Sequence, residues 1–316
     1  MTAKTVQYIV NGQTITLTYN SATGAYESAP IAPDASSFNL AGGFFPTQLR
    51  VESTAGNVTI ADTSDSTVGE NLKLYVGEQV KPTIEIISPS ANAYVINANA
   101  PITFKVLDNA NGQSTGYSGI NKQSLVLRVN GAPIDNSLVS WSDTEGGYIG
   151  TYNPVEALPE GSNTVTATIS DNDENTSETA TVTFIVDTIA PSLDVTSPTE
   201  GLLTNNSVLD VSGKTDDATS KPVTVTIELN SVDQGTVTVN ADGTFSKRIT
   251  LKEGVNEIVI TATDRAGKST TITRTVTLDT QAPVVKSVVM TANGKPISAD
   301  NKALAGKTYS IAVKVG

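Results

Sequence analysis

Asp171-Asn172-Asp173-Glu174 gathers hard oxygen donors into one short stretch, the ligand type that calcium takes. Acids at the joints between segments, such as Asp187, would add a further ligand. The corresponding stretch later in the chain is Asp264-Arg265-Ala266-Gly267, where the second acid is lost and a base gained. Asp and Asn are also what any tight turn prefers, so the plain alternative is an acidic, solvated turn. Asp216-Asp217, after Lys214, is a weaker version of the same pattern.

Aromatic side chains offer a second chemistry. Tyr117, Trp141, Tyr148 and Tyr152 fall in long stretches expected to be loops, over 108–121 and 140–150 and just beyond, and a Trp or Tyr face stacks on sugars. Against that stands the reading of Trp141, the single tryptophan, as a core aromatic. Catalysis has little to draw on. The chain has no cysteine and no histidine, which removes thiolate metal sites, the usual general base and the pH switch together. No G-x-S-x-G or S-x-x-K context supports a serine or lysine nucleophile, and no pair of carboxylates stands out as glycosidase-like. No catalytic, cofactor-binding or metal residue is nominated and no cofactor is expected. Calcium at Asp171, Asp173 and Glu174 and glycan at Trp141 and Tyr148 stay open. The protein is expected not to be an enzyme.

The elements that must hold these residues are strands. Thr, Val, Ser, Asn, Asp and Gly dominate, and strong helix formers never gather at helical spacing. Only 5% of the 316 residues are aromatic, which points to several small cores rather than one large one. A net charge of −12, with Lys247-Arg248 the densest basic spot, argues against nucleic acid and anionic membrane as partners. No stretch reaches the roughly 18 apolar residues of a membrane span. The opening MTAKTVQYIVNGQTIT alternates like a strand and has no signal-peptide core, so synthesis in the cytosol without a Sec signal is expected.

The chain repeats itself. LPEGSNTVTATISD at 158–171 and LKEGVNEIVITATD at 251–264 share Glu-Gly, Asn and Asp at the same spacing, and each copy ends in Asp-Thr-x-Ala-Pro. Proline fixes φ and holds its predecessor extended, so the Ala-Pro clause reads as a short, stiff domain joint. Ser88-Pro89 and Ser197-Pro198 close the strand after it. The expected fold class is all-β: tandem, disulfide-free immunoglobulin-like β-sandwiches. The expected domains are a divergent immunoglobulin-like one over 1–80, one with long loops over 81–188, one over 189–281, and an incomplete strand pair over 282–316. Asn11-Gly12 marks a hairpin turn in the first. The last is expected either to fold back on its neighbour or to pair with another chain.

V-Q-Y-x-V-N-G-x-x-x-x-L-T-Y-N-S-x-T-G-x-Y at the start, LKLYV before Lys81-Pro82, DGTFSKRITLKEGVN at 242–256 and the ending AGKTYSIAVKV together resemble one group. It is the Ig-like-repeat proteins of siphophage and prophage tail modules of Gram-positive gut bacteria, and nearly the whole chain is covered. Bacterial Ig-like repeats of secreted adhesins share the turn and joint motifs. The resemblance implies a non-enzymatic structural or adhesion component of a virion, assembled in the host cytoplasm. Its implied partners are other tail proteins and, second, a host-surface glycan, with homo-oligomerisation or strand addition through the C-terminal unit. The rivals are a secreted or surface adhesin, extracellular in place, and an accessory carbohydrate-binding array.

Overall fold

A computed structural model describes residues 3–108 and 117–316, so most of the long loop expected over 108–121 lies outside the described residues. The fold is all-β, with 53% of the described residues in strands and 2% in helix. It divides into two compact units, residues 1–188 and 189–316.

The first unit opens with one connected six-stranded sheet: β1 (Ala3–Val10), β2 (Gln13–Asn20), β3 (Ala25–Glu27), β4 (Phe45–Ser53), β5 (Val58–Asp62) and β6 (Lys73–Leu74). The order is β3-β2-β1-β4-β5, with β6 pairing β4. Asn11 and Gly12, with φ of 47° and 77°, supply the left-handed pair that the β1–β2 hairpin requires. Its buried apolar residues are Val6 and Leu72, so little hydrophobic core lies beneath it.

The rest of the unit is a two-sheet sandwich. Its strands are β7 (Thr83–Ser88), β8 (Tyr94–Val95), β9 (Ile102–Leu107), β10 (Ile120–Val129), β11 (Ala132–Pro133), β12 (Val139–Thr144), β13 (Gly147–Tyr152), β14 (Gly161–Asp171) and β15 (Ala180–Val186). One sheet runs β12-β13-β9-β7 and the other β11-β10-β14-β15-β8. Strict alternation of buried residues along β9 and β14 turns Ile102, Phe104, Val106, Val165, Ala167 and Ile169 into one core.

In the second unit β16 (Ser192–Ser197), β17 (Leu202–Thr204), β18 (Val208–Asp216), β19 (Thr224–Leu229), β20 (Val232–Asp233), β21 (Thr244–Thr250), β22 (Gly254–Thr263) and β23 (Ser269–Leu278) form a second sandwich. Its sheets run β16-β18-β21 and β17-β23-β22-β19-β20. Each sandwich has a short strand, β8 or β17, parallel to the last one, β15 or β23. This is the immunoglobulin arrangement written twice. The chain closes with β24 (Val285–Ala292), β25 (Lys295–Pro296) and β26 (Ser310–Val315), where β24 pairs with both others. Val288 and Val289 on β24 and Ile311 and Val313 on β26 are all exposed.

Candidate functional site

The residues common to both repeats are structural fasteners. Gly161 and Gly254 open β14 and β22 with φ of 88° and 90°, a conformation that excludes other residues. The Glu before each reaches forward to the joint. Glu160 accepts from the Thr188 N–H at 3.1 Å and from its hydroxyl, and Glu253 accepts from the Thr280 N–H at 3.1 Å and its hydroxyl at 2.9 Å. Each Asn is fully buried. Asn163 Nδ2 donates to the Pro159 and Gly161 carbonyls (2.8 and 3.0 Å), and its Oδ1 accepts from Asn130 Nδ2 (2.8 Å). Asn256 repeats this on Lys252, Gly254 and Asn230. Asp264 Oδ1 closes its turn by accepting from the Lys268 N–H at 2.9 Å.

At Asp171 the turn meets acids from other stretches. Oxygens of Glu78, Asp108 and Asp171 all lie within 4.8 Å of one another. Asp171 ends β14, Asp108 follows β9, and Glu78 comes from the segment that leaves the N-terminal sheet. Asp171 accepts from the Asn175 N–H and Nδ2, both at 2.8 Å. Asp108 Oδ2 accepts from the Gly119 N–H at 2.6 Å, and Glu78 Oε2 from the Val80 N–H at 2.7 Å. The other oxygens of those two, Asp108 Oδ1 and Glu78 Oε1, are buried and have no hydrogen-bond partner. Burial, reinforced by the Asp171 and Asp108 carboxylates, pushes Glu78 up to about 7. Burial and the charges of Asp171 and Asp173 likewise raise Asp108, against the Gly119 hydrogen bond.

The stretch 171–174 therefore does not form a cage by itself. Asp173 Oδ2 accepts instead from the Ser36 hydroxyl (2.6 Å) and the Glu78 N–H (2.9 Å). Asn172 Nδ2 donates to the Ser118 and Gly119 carbonyls, both at 2.9 Å, and Glu174 is exposed. Asp187 stands at the end of β15, its N–H donating to Val95 O at 2.9 Å, and is not in this group. In the second unit Asp216 pairs with Lys221 at 2.7 Å, while Asp217 is buried and accepts from the Thr219 and Ser220 N–H groups. Asn39 Nδ2, on the N-terminal sheet's long connection, reaches the Tyr117 and Ser118 carbonyls, so the acids sit where that region meets the sandwich.

Two residues of this group, Glu78 and Asp108, were not singled out from sequence. The signal that finds them is register: KPTIEIISP aligns with APSLDVTSP at an offset of 109, which carries Glu78 to Asp187 and Asp108 to Asp217.

Trp141, Tyr148 and Tyr152 lie on strands rather than loops, whereas Tyr117 stands in the loop before β10 as expected. Trp141 pairs with Gly150 and Asp143 with Tyr148 across the β12–β13 hairpin, so the Trp141 and Tyr148 rings are diagonal neighbours, and Tyr152 is buried in the core. Trp141 is half-buried, edge-on to the fully buried Phe104 (5.5 Å, 88°) and to Tyr148 (6.3 Å, 81°). The Lys122 ammonium lies 3.5 Å from the Tyr148 ring centre.

Fold and site together define an array of immunoglobulin/fibronectin-III-like domains without cysteine. Residues 191–280 match the family model of glucodextranase, domain B. The chain is 31% identical over 180 residues, 55% of its length, to Bacillopeptidase F of Bacillus subtilis (strain 168). It is 26% identical over 206 residues, 61% of its length, to the PII-type proteinase of Lactococcus lactis subsp. cremoris. It spans only 12% and 10% of those two proteins. Among solved structures it is similar to the fibronectin(III)-like modules of Clostridium thermocellum CbhA (17% identity, 62% of this chain and 94% of that one, TM-score 0.37). It is also similar to Sidekick-1 immunoglobulin domains 1–5 (11% identity, 94% and 64%, TM-score 0.38). No helix among the described residues is long and apolar enough to cross a membrane.

Proposed function

We propose that the protein is a non-enzymatic structural and attachment component, its sandwiches serving as spacers between larger partners. The observation that carries this reading is the use made of the repeated residues. Glu160, Gly161, Asn163 and their counterparts Glu253, Gly254 and Asn256 all fasten strand ends and joints. In the reading favoured by the phage-tail resemblance, the setting is a virion. Other tail proteins are then the partners, and a host-surface glycan is the candidate outer ligand. Mass spectrometry of purified virions tests this: the protein is expected among the tail proteins, and its absence overturns the virion setting.

A second setting is favoured by the 31% identity to Bacillopeptidase F. There the same array would be a non-catalytic part of a larger exported proteinase, and the chain would be recovered from culture supernatant. For glycan attachment, an array that stays blank, with whole-cell binding unchanged by Trp141→Ala, removes sugar as the ligand.

A further inference from the structure

We propose that Glu78, Asp108 and Asp171 bind one calcium ion, which fastens the segment leaving the N-terminal sheet to the first sandwich. Three carboxylate oxygens within 4.8 Å of one another match the span of ligands around calcium, whose oxygens lie at about 2.3–2.6 Å from the ion.

The independent observation is Asp108. It is only 4% exposed, and its Oδ1 has no hydrogen-bond partner although Oδ2 does. A buried carboxylate oxygen without a donor is costly, and Glu78 Oε1 repeats the situation within the same group. Among the described residues no lysine or arginine forms an ion pair with any of the three, and residues 109–116 contain no basic residue. Among the described residues the protein brings three carboxyl groups together with no cationic side chain beside them.

The donor set narrows the ion. Carboxylate oxygen alone, with no histidine or cysteine in the chain, disfavours zinc and softer metals. Magnesium demands a tighter octahedron at about 2.0–2.1 Å, whereas calcium accepts irregular oxygen sets. Around the three acids the backbone is already held. Asp173 grips the Glu78 N–H, and Asn175 Nδ2 donates both to Glu78 O (3.1 Å) and to Asp171 Oδ2 (2.8 Å). Asp171 keeps free lone pairs on both oxygens after its bonds to Asn175.

The experiment is thermal melting of the full chain followed by Trp141 fluorescence, which reports the sandwich that contributes Asp108 and Asp171. Relative to EDTA, millimolar CaCl2 is expected to raise Tm by about 5 °C or more. Glu78→Gln and Asp108→Asn should each weaken that response at least about tenfold in calcium concentration. Glu78→Gln is further expected to melt at or above the parent protein in EDTA above about pH 7, where Glu78 is ionised and the amide removes one of three crowded carboxylates. If Asp108→Asn does not fold, Glu78→Gln decides. Identical melting in CaCl2 and EDTA overturns the site. So does a full calcium response retained by Glu78→Gln, and an equal response to MgCl2 overturns the assignment to calcium.

Discussion

Replacing Asn163 by alanine tests whether the buried Asn of each repeat is a fastener or a passive filler. The side chain is fully buried and makes three hydrogen bonds: two donated to the Pro159 and Gly161 carbonyls and one accepted from Asn130. Alanine leaves those groups to find other partners, and each lost bond contributes about 1 kcal/mol, for a total of about 3 kcal/mol. Asn130 is affected as well, since its own Oδ1 accepts from the Thr164 N–H at 2.8 Å and its φ is 51°. For a compact unit of 188 residues melting as one, about 3 kcal/mol corresponds to a fall in Tm of roughly 6–12 °C. Trp141 packs on the same core as β14, so its fluorescence follows the relevant transition. Asn163→Asp keeps the shape but sets a carboxylate against two carbonyl oxygens, and is expected to lose at least as much. A fall of less than about 2 °C for alanine, or an aspartate variant as stable as the parent, refutes the account.

Further outcomes follow from other details. Glu253→Ala should cost about 1 kcal/mol in chemical denaturation by releasing the joint residue Thr280, and Glu253→Gln should recover part of it. A Cβ on Gly147 would lie 1.9 Å from Val106 O, so Gly147→Ala must prise β13 from β9 and should cost about 3 kcal/mol on the Trp141 melting curve. In EDTA, Glu78 in the folded protein keeps its proton up to about 7, above its ordinary 4.5. The contribution of Glu78 to stability is therefore fully present below pH 4.5, is lost as pH rises to about 7, amounts to at most about 3 kcal/mol, and is flat beyond. Glu78→Gln should remove that slope in melts across the same pH range.

The sandwiches were legible because their signals are local. Alternation in TVTATI and EIVITA, a glycine needing positive φ, and turn residues at 171–175 and 264–267 each act within a few residues. The repeat also marked Asn163 and Asn256 correctly as shared, although only burial shows what they hold. Aromatic placement went differently. WSDTEGGYIGT is rich in loop formers, yet Glu145-Gly146 makes a tight turn and the flanks pair from Trp141–Gly150 to Thr144–Gly147. Backbone pairing with β9 outweighed local propensity there. The acid group was hidden for another reason. Glu78, Asp108 and Asp171 come from three separate stretches, and only Asp171 lies inside the 30-residue window where the repeats match most plainly.

Both halves of each joint clamp, Glu160 with Thr188 and Glu253 with Thr280, are encoded within one repeat of the chain. A recombination event that duplicates or deletes a repeat therefore transfers a complete fastening, and no compensating change is needed elsewhere. Array length can in this way vary by whole cassettes while every strand end stays tied.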